Sequence, residues 1–258
     1  MIMKIKIKDR KVCDNCYAKR CKFLNVANTK RDFFNLPSET TVCSTSAIDD
    51  SGPTDADLKN GIISSKYCVE CGLCAKFCPW DNLKLEGEMG NTELFGNLTE
   101  LQLKAVTSMY LSQLFHFAAN TNRNGSLPFD GYVSTLSGKQ AFVEIDYGDD
   151  SLESVRRILG DMLTYSDHRI KNGLVVLSHI PPKGTVDVYT VLDKLKTFPT
   201  TTDINIFFTT FNILRAMCIS GVSSDKDFNN ILFDPSKERI EEYSVKIKNL
   251  TNGLLASI

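Results

Sequence analysis

Eight of the nine cysteines in this 258-residue chain fall within its first 78 residues, in two sets of four. The second set is Cys68, Cys71, Cys74 and Cys78, followed by Pro79, in the spacing C-x2-C-x2-C-x3-C-P. The first is Cys13, Cys16, Cys21 and Cys43, spaced C-x2-C-x4-C-x21-C. Thiolates at the second spacing suit iron–sulfur chemistry: three close sulfurs grip one cubane and the fourth reaches a second cluster. Zinc can also occupy C-x2-C pairs, but two zinc sites need neither the closely spaced triple nor the C-P ending. Disulfides fit less well, because the compartment expected for this chain is reducing. Cys218 stands apart, in the apolar run Leu214-Arg215-Ala216-Met217-Cys218-Ile219, and reads as a core residue and not a ligand.

The two sets form an internal repeat. Lys11-Val12-Cys13-Asp14-Asn15-Cys16 aligns with Lys66-Tyr67-Cys68-Val69-Glu70-Cys71, and each block follows an isoleucine-bearing extended stretch, Ile5-Lys6-Ile7 and Ile62-Ile63. After Cys43 the chain reads Ser44-Thr45-Ser46-Ala47-Ile48, close to a C-P-x-x-A-I tail, so the extra residues of the first repeat lie between its third and fourth cysteines. Over about residues 1–90 the chain resembles a bacterial-type dicluster ferredoxin. That resemblance implies a small α+β domain with two [4Fe–4S] clusters and crossed ligation. Cluster one would take Cys13, Cys16, Cys21 and Cys78; cluster two would take Cys68, Cys71, Cys74 and Cys43. The C-x4-C gap and the absence of proline after Cys43 depart from the family pattern.

Composition is that of an ordinary globular chain, 42% hydrophobic and 24% charged with a formal net charge of −1, which excludes an overall polyanion-binding signature. The length suffices for two domains with separate cores. Charge is uneven, however: residues 1–31 hold ten Lys or Arg against Asp9 and Asp14. Such a segment can contact phosphates, offset the negative charge of thiolate-ligated clusters, or form a solvated face. No apolar run reaches membrane-spanning length, and the charges alternating after Met1 do not form a signal sequence, so a cytoplasmic location without membrane association is expected.

Beyond residue 90 the pattern changes to alternating helices and strands. Asn97 to Glu100 reads as a capping box opening a helix with Leu101, Ala105, Met109, Leu111, Leu114 and Phe115. Strand-like runs at 131–136 and 140–147 flank the turn residues Ser137-Gly138-Lys139. A helix then opens at Asp150 or Ser151 with Leu152, Val155, Leu159 and Met162 on one stripe, followed by a buried strand, Leu174-Val175-Val176-Leu177. A helix over 186–196, a strand over 204–208 and a last helix from Ser236 to about Leu250 complete an α-β-β-α-β-α-β order. The fold class expected is α/β with a mixed central sheet, over a domain spanning 97–258.

This order, with Pro128-Phe129-Asp130-Gly131 and Val143-Glu144-Ile145-Asp146, resembles the restriction-endonuclease-like PD-(D/E)xK nuclease fold over about residues 97–215. The resemblance implies that Asp130 and Glu144 lie side by side across a hairpin and bind Mg²⁺ or Mn²⁺. Hard divalent ions take oxygen ligands, and the bound ion activates water against a phosphodiester. Glu100 matches a further acid of many members. Asp146 stands where the family carries its lysine, and Lys139, Arg156 and Arg157 are the cations that could replace it. The competing reading makes Asp130 a turn residue before Gly131 and Glu144-Ile145-Asp146 an exposed strand face.

Two functions follow as expectations. One is redox-linked or cluster-stapled DNA processing by a nuclease-like domain, with Asp130, Glu144 and Asp146 catalytic. Other members of that fold carry [4Fe–4S] clusters. The alternative is an electron-transfer subunit whose C-terminal domain docks a redox partner protein and cuts nothing. A nucleotide-cofactor domain is disfavoured, since no Gly-rich phosphate loop follows any strand.

Overall fold

The computed structural model describes residues 4–16, 47–48, 53–65, 68, 72–76, 78, 80–86, 100–119, 130–148, 150–165, 169–182, 186–222 and 227–255. The chain divides into two compact units, Met1–Val106 and Thr107–Ile258. No helix among the described residues is long and apolar enough to cross a membrane.

In the first unit, β1 (Lys4–Ile7) pairs antiparallel with β2 (Leu83–Glu86), Lys4 lying opposite Glu86 and Ile7 opposite Leu83. Alternation sets the buried face: Ile5 and Ile7 point inward while Lys4 and Lys6 are exposed, and Lys6 is ion-paired to Glu86. The second isoleucine stretch joins the same ladder, with Ile7 N donating to Gly61 O at 2.8 Å and Ile63 N to Ile5 O at 2.9 Å. The two extended stretches that precede the cysteine blocks are therefore hydrogen-bonded to each other. Three short helices complete the described part: α1 (Arg10–Asp14), α2 (Asp55–Asn60) and α3 (Leu73–Lys76).

α2 is fixed at both ends. Thr54 and Asp57 form a reciprocal capping box, and Gly61, in the left-handed region at φ 69°, closes the helix. The Asp57 carboxylate also accepts from Ser64 N and Ser64 Oγ, each at 2.7 Å. Burial alone would raise this carboxyl, but the hydrogen bonds from Ser64 and Thr54 together outweigh it and hold Asp57 below the usual carboxylate value. Ile5, Ile48, Ile63 and Leu83 are buried core residues of this unit.

α4 (Glu100–Leu114) runs across the division between the units. The second unit is built on a five-stranded mixed sheet in the order β3-β4-β5-β6-β7. Its strands are β3 (His116–Ala119), β4 (Gly131–Ser134), β5 (Gln140–Ile145), β6 (Asn172–Leu177) and β7 (Asn205–Thr210). β4 runs antiparallel to both neighbours, whereas β5, β6 and β7 are mutually parallel, so β4 alone opposes the rest. The α/β class with a mixed sheet is as the sequence predicts, except for β3, which the sequence pattern does not reveal.

α5 (Ser151–Tyr165) crosses over from β5 to β6 and buries Val155, Ile158, Leu159 and Met162 while leaving Glu153, Arg156 and Leu163 exposed. Gly173 lets this helix approach: a Cβ there would stand 2.9 Å from Ile206 Cδ1 and 3.0 Å from both Ile158 Cδ1 and Met162 Sδ. Val175 and Val176 are fully buried, as a central parallel strand requires, each contributing roughly 1.5–3 kcal/mol of burial.

α6 (Val186–Leu195) leads to β7, which passes directly into α7 (Phe211–Ile219) through the N-cap Thr210, whose Oγ1 accepts from Ile213 N at 3.2 Å. α7 is almost wholly buried, and Cys218 lies in that core as expected. α8 (Phe228–Ile231) and α9 (Ile240–Leu250) close the unit, Tyr243 Oη donating to Ile231 O at 3.0 Å. α9 starts at Ile240 and not at Ser236, because the buried Asp234 accepts from Ser236 N and Ser236 Oγ and holds that segment in a turn.

Candidate functional site

The cysteine motif is carried by short helices and their exits. Cys13 is buried in α1 and Cys16 follows just beyond it, half-buried; Cys74 is buried in α3; Cys68 and Cys78 are half-buried outside helices. Cys21, Cys43 and Cys71 lie outside the described residues. Asp9 caps α1 by accepting from Lys11 N at 2.9 Å, which fixes the start of the helix that presents Cys13.

One residue ties the two repeats together. Asn82 N donates to Cys78 Sγ at 3.3 Å, and Asn82 Nδ2 donates to Cys13 Sγ at 3.1 Å. Asn82 is itself held on three sides: Nδ2 also donates to Asp9 O at 2.8 Å, Oδ1 accepts from Asp9 N at 2.9 Å, and Asn82 O accepts from Lys8 N at 2.9 Å. Asp81, at φ 49°, makes the tight turn after Cys78 that delivers Asn82 to this position. Sulfurs 65 residues apart in sequence thus share one hydrogen-bond donor residue. Only 4% of Asn82 is exposed, so its polar atoms need these partners. Neutral thiols accept hydrogen bonds weakly and thiolates accept them well, so this donor set suits sulfurs that carry negative charge.

The acidic group lies at one end of the sheet of the second unit. Asp130 directly precedes Gly131, and Glu144 directly follows Val143, the two residues paired between β4 and β5. Both acids are buried, at 8% and 3% exposure. Asp130 Oδ2 accepts from Ile145 N at 2.7 Å, and Asp130 N donates to Val143 O at 2.9 Å. Asp146, just past β5, accepts from Ser154 Oγ at 2.8 Å and from Gly148 N at 2.9 Å. Arg157 on α5 joins the two neighbouring acids, its Nη2 standing 3.0 Å from Glu144 Oε1 and ion-paired to Asp146 Oδ2. The exposed-strand reading therefore fails for Glu144, and it is Arg157, not Lys139 or Arg156, that meets the acids; Lys139 pairs instead with Asp227. Glu100 opens α4.

Tyr147 extends the group. Its hydroxyl is hydrogen-bonded to Thr107, and its ring meets Phe211 edge-on at 6.3 Å. Burial, chiefly, and the negative charge of Asp130 push the Tyr147 phenol well above its ordinary value, so it stays protonated through the physiological range.

Among the described residues no three His, Cys, Asp or Glu side chains form a metal-holding group. Two participants escaped the sequence pattern: Asn82, for which an asparagine in place of the small residue of the C-P-x-x-A tail was the available signal, and Ser154, which had none. No family model, curated protein or solved structure matches the chain.

Proposed function

We propose that the chain is a two-cluster iron–sulfur protein whose second unit is a nuclease-like domain acting on DNA. The observation that carries the first half is the pair of hydrogen bonds from Asn82 to Cys13 and Cys78. Crossed ligation requires the last cysteine of repeat two to meet the first cysteines of repeat one, and a shared donor to both sulfurs supports that. Cys13, Cys16, Cys21 and Cys78 would hold one [4Fe–4S] cluster, and Cys68, Cys71, Cys74 and Cys43 the other. Bound clusters supply one-electron transfer and also staple a unit that has few large apolar side chains.

For the second unit, the support is the sheet order with β4 alone reversed and the position of Asp130 and Glu144 on adjacent strands. These two carboxylates would hold Mg²⁺ or Mn²⁺, which activates water when bound. Arg157 brings a cation to the position that the family's lysine leaves vacant at Asp146. The second reading, an electron-transfer subunit whose second unit docks a redox partner protein, is favoured by the same contacts taken as structural. In it Arg157 neutralises Glu144 and Asp146, and the Asp130 carboxylate is spent on Ile145 N.

One set of measurements tests both. Anaerobically purified protein should hold about eight irons, as two cubanes require, and absorb broadly near ~400 nm. Cys43→Ser and Cys78→Ser should each damage the cluster farther from the altered residue in sequence. About four irons with zinc in the other site sinks the two-cluster reading. Cleavage of single- or double-stranded DNA that needs Mg²⁺ or Mn²⁺, and is lost in Asp130→Asn and Glu144→Gln with iron content intact, selects the nuclease. No cleavage, no DNA binding and no divalent-ion uptake selects the electron-transfer subunit.

A further inference from the structure

The geometry points to Asn82 as the residue that makes the two clusters electronically unequal, by donating a side-chain hydrogen bond to cluster one that cluster two lacks. This rests on the two-cluster reading above. In the internal repeat, Cys43 and Cys78 are equivalent, so the residue four positions after each is also equivalent: Ala47 in repeat one and Asn82 in repeat two. Both are buried, at 5% and 4% exposure. Asn82 presents Nδ2 to Cys13 Sγ at 3.1 Å, whereas a methyl group at Ala47 can offer nothing to the repeat-related sulfur of Cys68. The backbone donor Asn82 N to Cys78 Sγ, at 3.3 Å, serves cluster one as well and survives any substitution of the side chain.

The chemistry gives the sign. Reduction adds an electron to a thiolate-ligated cluster that is already negative. A donor aimed at a ligand sulfur stabilises the more negative, reduced form, and so raises the potential. The bond is rigidly supplied, since Asp9 N and Asp9 O grip the same amide on its other side and it cannot swing away from the sulfur. Asn82 is thus a positioning residue for an electron: cluster one is reduced first, and cluster two becomes the low-potential site.

Redox titration followed by electron paramagnetic resonance tests this on the full-length protein. The wild type should show two waves. Asn82→Leu keeps the volume and removes the donor; it should lower the upper wave by about tenfold in its reduction equilibrium, about 59 mV for a one-electron couple, and leave the lower wave in place. Asn82→Asp keeps an acceptor for Asp9 N, removes the donor and adds negative charge, and should lower the same wave further. The wild type provides a measurement independent of folding in the variants. Poised where only the upper wave is reduced, protein with ¹⁵N-labelled asparagine side chains should show a nitrogen coupling. Waves that do not move, waves that both move together, or a missing nitrogen coupling overturn the assignment. A wild type lacking eight irons instead removes the two-cluster reading on which it stands.

Discussion

Arg157→Met offers the sharpest test of what holds the acidic end of the sheet together. The guanidinium bridges Glu144, whose side chain is 4% exposed, and Asp146, at 22%, while Arg157 itself is 46% exposed. A fully buried ion pair broken on one side costs about 3–5 kcal/mol, and an exposed one about 0–1 kcal/mol. This pair has one dry partner and one wet one, which places the loss near 2 kcal/mol after discounting for solvent around Arg157. For a unit of this size that corresponds to a fall of roughly 4–8 °C in Tm. Urea denaturation of the wild type, Arg157→Met, Glu144→Gln and the double variant gives the coupling directly, and it should reach at least about 1 kcal/mol. Additive single losses, or an Arg157→Met protein within about 0.5 kcal/mol of wild type, would refute the bridge as a stabilising element. The same variant separates the two functional readings. If Arg157 serves cleavage, its loss should abolish turnover while divalent-ion binding persists or tightens, because a competing cation has gone.

Asp57→Ala should destabilise the first unit by about 3 kcal/mol in urea denaturation, since four hydrogen bonds to a buried carboxylate vanish together. Because the folded value of Asp57 lies below its unfolded one, its contribution is present above about pH 4 and is lost as pH falls further, so wild type and Asp57→Ala should converge in acid. Asp161 shifts the other way: burial raises it, with Arg157 pulling it partly back. Its charge therefore costs stability once pH exceeds the unfolded carboxylate value, and Asp161→Asn should stabilise at pH 7 and have no effect near pH 3, checked by Tm across that range. Anaerobic chelation of iron should make the segment before Val106 protease-sensitive while the second unit stays resistant, read by limited proteolysis and mass spectrometry.

The elements that the sequence announced are those with a period. β6 was legible as an unbroken apolar run, α5 as a stripe, and the β4–β5 hairpin from Ser137-Gly138-Lys139 between alternating residues. β3 was hidden because His116 follows α4 after a single residue, with no turn signal to separate them. α7 was hidden for the opposite reason: nearly every residue from Phe211 to Cys218 is buried, so there is no polar face to create a period. Site residues divide in the same way. Asp130 and Glu144 were found from their places on successive strands. Arg157 was one of three candidate cations, because which one reaches Glu144 depends on how α5 seats on the sheet, through Gly173 among others. Asn82 could not be found at all from local pattern, since its partners Asp9 and Cys13 are about seventy residues away.

The first-unit ladder also has a mechanical consequence. Lys4 begins β1 and Glu86 ends β2, and the two face each other on the outermost rung. Tension applied to the chain at these two points does not shear the strands along their length; it peels them open one rung at a time, from Lys4 opposite Glu86 toward Ile7 opposite Leu83. Each step then breaks only one or two hydrogen bonds, each worth about 1 kcal/mol net. An unfolding machine drawing on either end should meet little resistance until it reaches the rung at Ile7 and Leu83, beyond which lie Asn82 and the sulfurs that it joins. Resistance to extraction is thereby concentrated behind the ladder, and single-molecule pulling should register it as a soft opening followed by one abrupt rupture.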